Sequence, residues 1–314
     1  MSDTKNILLL GGFGFLGTNI LKYIDSHFVD QFQCIVFDKY SIHPQGVEFN
    51  CITKVYAGDF SDEMFIEKIF EENRIDIVIH VLSTTIPIDS ANAQYDVQSN
   101  LIPTLNVLSN MIKYNVPSIV YLSSGGAIYG SHSDCSHVET DDVFPISSYG
   151  VIKLAIEKYI MQYAQLYNIC PLIIRLSNPY GPYHYSMKQG VVNVAIQKAI
   201  RGEMLNIWGD GHGKKDYIYV NDFVDILFKL LHNQNCTGVI NVGSGTVESV
   251  NNIVTEIMRH IPSLKYQHTD AQTFDVSNFE LNITKLKNIL GNYSFTSLAD
   301  GILKTIQWEK ERCD

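Results

Sequence analysis

The sequence predicts an α/β protein, a doubly wound parallel sheet followed by a smaller C-terminal α/β lobe. Three observations predict it. Over the first 175 residues short apolar runs alternate with longer amphipathic ones, the pattern of βαβ units. The short runs are continuously apolar, as strands covered by helices on both faces must be. Between the first short run and the first amphipathic stretch lies a glycine-rich turn, Gly11-Gly12-Phe13-Gly14-Phe15-Leu16-Gly17.

Taken in order, the expected strands are 6–10, 33–37, 54–57, 75–82, 118–123 and 172–176. Helices are expected at 15–25, 62–72, 92–115 and 149–168. In the last of these Ile152, Ile156, Tyr159, Tyr163 and Leu166 recur at helical spacing and form an apolar stripe. Beyond residue 176 the pattern loosens into the turn cluster Asn178-Pro179-Tyr180-Gly181-Pro182, a helix at 190–201 and the Gly-rich stretch Gly209 to Gly213. Val239 to Val242 reads as one more strand, and 250–260 and 297–309 read as helices. The expected division is 1–176, with the chain returning at about 214–247, and a second lobe of 177–213 and 248–314.

Composition narrows the function. With 46% hydrophobic residues, 21 Gly and 9 Pro, the chain is neither disordered nor fibrous. Its 23 basic and 33 acidic side chains give a charge of −10, and the longest basic run is Lys214-Lys215, which argues against a nucleic-acid partner. Six widely spaced cysteines without a CxxC read as reduced thiols, and the ten histidines show no metal-binding spacing, so no metal is expected. Glycines interrupt the apolar start at Ile7 to Leu10, and no run of about 18 apolar residues follows. The expectation is therefore a cytoplasmic protein without a membrane span.

The glycine turn satisfies GxGxxG at a strand-to-helix junction, the Rossmann-type dinucleotide fingerprint. One glycine permits the tight turn, another lets the pyrophosphate approach backbone, and a third allows close helix packing, with the helix N-terminus facing negative charge. Gly11, Gly14 and Gly17, with Phe15 and Leu16, are the candidates. Asp38 ends the second strand 21 residues after Gly17, where a carboxylate accepts from the adenine ribose hydroxyls. Asp38 would repel a 2′-phosphate and its neighbour Lys39 would attract one; the carboxylate favours NAD over NADP. Asp59, followed by Phe60, either meets the adenine edge or caps the helix at 62–72.

Tyr149 and Lys153 stand four residues apart at a helix start, hence on one face. A cation beside a phenol stabilises phenolate, so the tyrosine can exchange a proton with a carbinol or carbonyl oxygen near neutral pH.

These features together resemble the extended, nucleotide-sugar-modifying branch of the short-chain dehydrogenase/reductase superfamily, over nearly the whole chain. Further matches are His80-Val81-Leu82-Ser83, Asn100, Tyr121-Leu122-Ser123-Ser124-Gly125-Gly126-Ala127-Ile128-Tyr129-Gly130, Arg175 to Pro182, Trp208-Gly209-Asp210-Gly211, Lys215-Asp216-Tyr217 and Asn241-Val242-Gly243-Ser244-Gly245. The resemblance implies that Val81, Leu82, Ser83, Asn100, Ser123 and Lys153 line the cofactor, and that Tyr149 is the acid/base. It implies sugar-nucleotide contacts from Asn178, from Gln189, Gly190 and Val191, and from Trp208 and Lys215. It further implies a homodimer through helices 92–115 and 149–168, although the stripe on the latter reads equally as burial on the parent sheet.

Three positions depart from the family's pattern. Gly125 stands where the 4-epimerases of this branch carry Ser or Thr, leaving Ser124 as the candidate catalytic hydroxyl. Strand-end hydroxyls such as Ser123 and Ser124 are also expected to bond backbone. Lys215 and Gln272 replace two arginines, exchanging a bidentate fork for a point charge in the first case. Gly125-Gly126-Ala127 lacks the carboxylate pair that the 4,6-dehydratases of the branch use, and a Cys of the reductive 3,5-epimerases is likewise Gly125, with Cys135 ten residues on. The expected activity is an NAD-dependent nucleotide-sugar 4-epimerase, a UDP-sugar being the favoured substrate. The alternatives are a 4-ketoreductase or dehydrogenase, and a non-catalytic NAD-binding member of the fold.

Overall fold

The computed structural model describes residues 4–87, 92–130, 136–233, 236–270 and 278–313. Cys135 and Gln272 lie outside the described residues. The first half runs β1 (Lys5–Leu10), α1 (Phe15–His27), β2 (Phe32–Asp38), β3 (Ile52–Ala57), α2 (Glu63–Glu72), β4 (Ile77–His80) and α3 (Ala93–Asp96). A π-helical turn, Val97–Leu101, leads into α4 (Ile102–Lys113), β5 (Ser118–Ser124), α5 (Gly125–Tyr129), α6 (Ser148–Tyr167) and β6 (Cys170–Leu176). Then follow β7 (Asn178–Tyr180), α7 (Val191–Arg201), β8 (Met204–Trp208), β9 (Lys214–Tyr219), α8 (Val220–His232) and β10 (Gly238–Val242). The chain closes with β11 (Val247–Ser249), α9 (Val250–His260), β12 (Lys265–Thr269), α10 (Thr284–Leu290) and α11 (Leu298–Cys313).

Seven strands form one sheet in the order β10-β6-β5-β4-β1-β2-β3. The pairings from β3 through β2, β1 and β4 to β5 are parallel. Sequence order reverses between β1 and β4, the switch point at which such sheets open a crevice beyond the strand ends. The register puts Phe37, Leu10, His80 and Tyr121 level across β2, β1, β4 and β5. The next residues, Asp38, Gly11, Val81 and Leu122, therefore share one edge.

The chain divides into two compact units, Met1–Ser123 with Ser147–Ile174 and Leu231–Ile240, and Ser124–Ile146 with Arg175–Leu230 and Asn241–Asp314. Residues 124–146 thus group with the second unit, and the return expected at about 214–247 is 231–240. The reason is α8, an amphipathic helix that belongs, up to Leu230, to the second unit.

In the first unit Leu8, Ile35 and Val78 of the sheet pack with Ile66 and Ile69 of α2, Val107 and Leu108 of α4, and Ile152, Ile156 and Ile160 of α6. The stripe expected on α6 is split. Ile152 and Ile156 are buried, Tyr163 packs partly against the core, and Tyr159 and Leu166 are exposed, because the face aimed at the sheet is completed by Ile160. The helix expected at 92–115 is broken by the π turn, and the strand expected at 75–82 shortens to β4.

The second unit contains a three-stranded sheet, β11-β9-β7, and a parallel pair, β12-β8. Tyr180, Ile196, Leu205, Ile253, Ile257 and Ile302 are among its core residues. Several motif residues act here as scaffold. Tyr129 is fully buried between the His137 ring, stacked at 4.7 Å, and the Arg175 guanidinium at 4.8 Å. Its hydroxyl accepts from Arg175 at 2.8 Å and donates to Asn241 at 2.9 Å. Asp216 accepts from the Ser244 and Gly245 N–H groups and the Ser244 hydroxyl, fixing the Gly243 to Gly245 turn. Burial nevertheless pushes its carboxyl up, against those hydrogen bonds.

Gly125 opens α5 against the segment that follows residue 278. A Cβ at 125 would lie 2.8 Å from the Phe279 ring and 3.0 Å from Leu281. The Ser or Thr that the resemblance implies at 125 thus has no room here, its place being filled by an aromatic ring. Gly125→Thr is expected to destabilise the protein by about 1–3 kcal/mol through overpacking, and Phe279→Ala in the same chain to recover part of that loss. Denaturant titration of the single and double variants checks this; strictly additive losses would contradict the contact.

Candidate active site

The glycine turn leaves β1 at Leu10 and enters α1 at Phe15. Gly11 has φ +87, and a Cβ there would sit 3.0 Å from the Leu82 backbone. A Cβ on Gly17 would come 2.2 Å from the Gly11 carbonyl oxygen, so α1 rests directly on the turn. Gly14 is different: its Cβ would meet only the Gly11 oxygen at 3.5 Å, leaving the outer side of the turn open. Gly14 caps α1 without a side-chain hydrogen bond, and the first turn holds no acidic residue. The N–H groups at the start of α1, beside half-buried Phe15 and Leu16, are therefore disposed for an anion.

Asp38, buried at the end of β2, accepts from the Phe13 N–H at 2.9 Å and from the Lys39 N–H at 2.7 Å. A carboxylate has about four acceptor positions, so capacity remains for hydroxyl donors. Lys39 is exposed beside it. Asp59 is exposed and accepts from the Ser61 N–H at 2.8 Å. The cap of α2 is Asp62, which accepts from the Phe65 N–H at 3.0 Å, so the capping alternative for Asp59 is excluded. The Phe60 side chain points into the core, between Phe37 at 5.8 Å and His80 at 5.4 Å.

Beyond β4, Val81 donates to the Leu10 carbonyl, Leu82 closes on Gly11, and the Ser83 hydroxyl donates to the Thr85 carbonyl. Asn100, within the π turn, accepts from the Thr84 N–H at 2.9 Å and donates to the Thr84 hydroxyl at 2.7 Å. It thereby anchors the loop that follows β4. Such π turns concentrate at functional sites.

A pocket within the first unit gathers His80, Ser83, Asn100, Tyr121, Tyr149 and Lys153. Ser147 caps α6 by accepting from the Gly150 N–H at 3.1 Å, which fixes where Tyr149 begins its turn. Lys153 lies one turn on, almost fully buried, and donates to the Leu122 carbonyl at 2.8 Å. Its ammonium nitrogen is 5.6 Å from the centre of the Tyr149 ring and 4.9 Å from that of Tyr121. Burial lowers its pKa to about 8, against the opposing effect of Glu157, a further turn along α6. Burial also pushes the Tyr121 phenol well above its ordinary value, helped by Tyr149 and Glu157.

His80 shows the same desolvation. Thr104 donates its hydroxyl proton to the Asn100 carbonyl at 2.6 Å, so it accepts from His80 Nε2 at 3.0 Å. The neutral ring then presents Nδ1 as a bare acceptor. His80 Nδ1, the Tyr121 hydroxyl and the Ser123 hydroxyl are buried without hydrogen-bond partners. The expectation that the Ser123 hydroxyl bonds backbone therefore fails. Orphaned polar atoms beside a buried cation, and a glycine cradle that a Cβ would fill, fit a polar ring and a diphosphate.

The substrate-side candidates lie in the second unit. Ser124 is half-buried at the end of β5, and its side chain makes no cap bond to α5. Asn178 donates to the Asp216 carbonyl at 2.8 Å, tying β7 to β9. Lys215 bridges Phe279, the residue that covers Gly125, so Gly125, Lys215 and Asn178 are gathered around β9. Exposed Gln189 precedes Gly190, the αL cap of α7, and Val191 begins that helix. Trp208 is partly exposed at the end of β8. Motif and periodicity did not single out Thr104, Glu157 or Phe279. Glu157 alone left a signal, an acid in a helix's buried stripe.

The family model for the NAD dependent epimerase/dehydratase family matches residues 7–243. A protein of Methanocaldococcus jannaschii, provisionally assigned as a UDP-glucose 4-epimerase, is 30% identical over 97% of this chain and 98% of its own length. The dTDP-4-dehydro-6-deoxyglucose reductase of Escherichia coli is 28% identical, over 98% of each. Among solved structures, UDP-glucose 4-epimerase of Thermotoga maritima with UDP-glucose superposes with a TM-score of 0.90 at 30% identity, covering 98% of this chain and 100% of that one.

His80 stays neutral in the folded protein down to about pH 3, because burial disfavours its cation and Lys153 repels it. The unfolded chain takes up that proton near 6.5, so between 6.5 and about 3 it binds more protons and stability falls as pH falls. His80→Asn is expected to lose stability less steeply than the parent over this window. Unfolding free energies measured by denaturant titration at several pH values check it; equal slopes would contradict a neutral His80.

Proposed function

The chain belongs to the NAD-dependent epimerase/dehydratase family and is an NAD-dependent enzyme of the extended short-chain dehydrogenase/reductase type, and within it we propose a nucleotide-sugar 4-epimerase. The observation that carries this reading is the Tyr149–Lys153 pair, with a buried ammonium held by the Leu122 carbonyl in the pocket shared with Asn100 and His80.

Bound NAD would supply a reversible hydride acceptor for sugar C4. Gly11, Gly14, Phe15, Leu16 and Gly17 would receive its diphosphate, Asp38 the adenine ribose with Lys39 beside it, and Asp59 the adenine edge, Phe60 contributing only backbone because its ring is buried against Phe37 and His80. Val81, Leu82, Ser83, Asn100 and Ser123 surround the nicotinamide side. Tyr149, as the phenolate that the Lys153 charge stabilises, takes the proton of the 4-hydroxyl and becomes the phenol, while Lys153 also positions the ribose. Once the 4-keto sugar has turned its other face, Tyr149 returns the proton. Ser124 supplies the second hydroxyl to the carbinol oxygen, in the absence of a side chain at Gly125. Asn178, Gln189, Gly190, Val191, Trp208 and Lys215 bind the nucleotide diphosphate, a UDP-sugar in the first place.

Two features of the chain favour epimerisation. Gly125-Gly126-Ala127 offers no carboxylate for an elimination, and Asp38 favours NAD, which suits a redox-neutral cycle. A second reading, net reduction of a 4-keto sugar, draws support from the Escherichia coli reductase at 28% identity. Cytoplasmic residence belongs to the same proposal, as does a homodimer through α4 and α6. Ile102, Val151, Tyr159 and Leu166 are exposed on those helices and supply its apolar contacts.

Incubation with UDP-, GDP-, dTDP- and CDP-sugars, with and without added NAD(H), and separation of the products distinguishes the readings. A product isomeric with its substrate is expected; a change of two hydrogens would replace the epimerase by the reductase. Tyr149→Phe is expected to lower kcat by about a hundredfold to ten-thousandfold while NAD affinity, measured by calorimetry, is retained. Tyr159→Glu is expected to shift the sedimentation coefficient to that of a monomer, and an unchanged value would remove the proposed interface.

A further inference from the structure

His43 lies outside every motif of the family resemblance, five residues after Asp38. It is nevertheless only 3% exposed, in a segment otherwise largely open to solvent. Its Nδ1 accepts from the Gln45 N–H at 3.2 Å, so the proton of the neutral ring is on Nε2. Nε2 lies 3.0 Å from the hydroxyl of Thr18, a fully buried residue in the second turn of α1, and donates to it. The ring meets Phe13 of the glycine turn edge-on at 5.7 Å and Phe49 at 5.9 Å.

Asp38 and His43 therefore grip one structure from one segment. Asp38 holds the glycine turn at the Phe13 N–H, and His43 holds α1 at Thr18. We infer that His43 is a positioning residue for the adenosine half of NAD, latching the segment after β2 onto the glycine turn and α1 so that the cofactor meets a wall already in place. With the latch open, that segment would have to be ordered at the moment of binding, and the ordering cost would be taken from the affinity. The inference rests on NAD as the cofactor and on Asp38 facing its adenine ribose.

The latch has a sign with pH. Burial lowers the His43 pKa below 6.5, and the Asp38 carboxylate on β2 opposes that shift. Phe13, Thr18, Gln45 and Phe49, the other groups packed on the ring, carry no charge. Protonation places a hydrogen on Nδ1, where the Gln45 N–H already points, and two donors then face each other. NAD affinity should accordingly fall on the acid side of 6.5. His80, the other buried histidine of the first unit, stays neutral to about pH 3 and contributes nothing in that range.

The test is calorimetric titration of the nucleotide-free protein with NAD from about pH 8 to about pH 5.5, alongside His43→Gln and His43→Ala. His43→Gln keeps an amide donor for Thr18 and cannot titrate. The parent is expected to lose affinity by a few-fold, and by less than about tenfold, toward the acid end of the range, His43→Gln to stay flat near the parent's neutral-pH value, and His43→Ala to bind weakly at every pH. Parent affinity independent of pH and equal to that of His43→Ala would overturn the latch. Absence of NAD binding by the parent at every pH would overturn the cofactor reading instead. Circular dichroism monitors folding throughout, and if His43→Ala fails to fold, the parent and His43→Gln profiles alone decide: coincident profiles overturn the latch, and a slope in the parent only supports it.

Discussion

Parallel pairing of β2, β1, β4 and β5 puts Phe37, Leu10, His80 and Tyr121 on one level, and the chemistry of the protein is laid out on the edge just beyond them. A parallel ladder sends every strand's carboxyl end to the same side, so one register brings Asp38, Gly11, Val81 and Leu122 together from widely separated stretches of sequence. Reversal of strand order between β1 and β4 then opens space above that edge. Gly17 packing against the Gly11 carbonyl seats α1 directly over β1, which aims the helix start into the space. A side chain at Gly17 would lift the helix and displace the donors with it.

Desolvation governs what the pocket can do. The same burial acts on three groups with consistent results: Lys153 falls to about 8, His80 to about 3, and the Tyr121 phenol is pushed up. Each shift disfavours the charged form; near neutral pH only the Lys153 shift is a cost to folding, because His80 and Tyr121 are largely neutral there in the folded and unfolded chain alike. The Leu122 carbonyl offsets part of it for Lys153, and Glu157 part of the remainder. His80 Nδ1 and the Tyr121 and Ser123 hydroxyls remain without partners. Unsatisfied polar atoms of this kind beside a pocket are what a binding site built in advance of its ligand presents.

The residues that carry the family resemblance divide into two physical kinds. Gly11, Gly14, Asp38, Tyr149 and Lys153 present groups to a pocket or an open turn. Tyr129, Gly130, Asp216 and Asn241 hold the second unit together: Tyr129 between His137 and Arg175, Asp216 on the Ser244 turn, and Gly130 where a Cβ would lie 2.2 Å from the Phe144 carbonyl oxygen. Gly125 belongs with this second group. Its lack of a side chain is matched by the Phe279 ring, so the departure from the related enzymes is a packing solution in which two distant positions agree.

The α/β class, the glycine turn, Asp38 and the Tyr149–Lys153 spacing were legible in the sequence because each depends on contacts close along the chain or on strand periodicity. Local order also sufficed for α1, α2, α7 and α9, whose apolar residues keep helical spacing. Tertiary structure decided the rest. It split the stripe of α6 between core and solvent and put a π turn at Asn100. It gave the cap of α2 to Asp62, which frees Asp59, and it folded His43 back onto Thr18, 25 residues away. The physical reason is common to these cases: an apolar period names a face but not its partner, and a lone polar residue acquires a role only when distant chain removes its water.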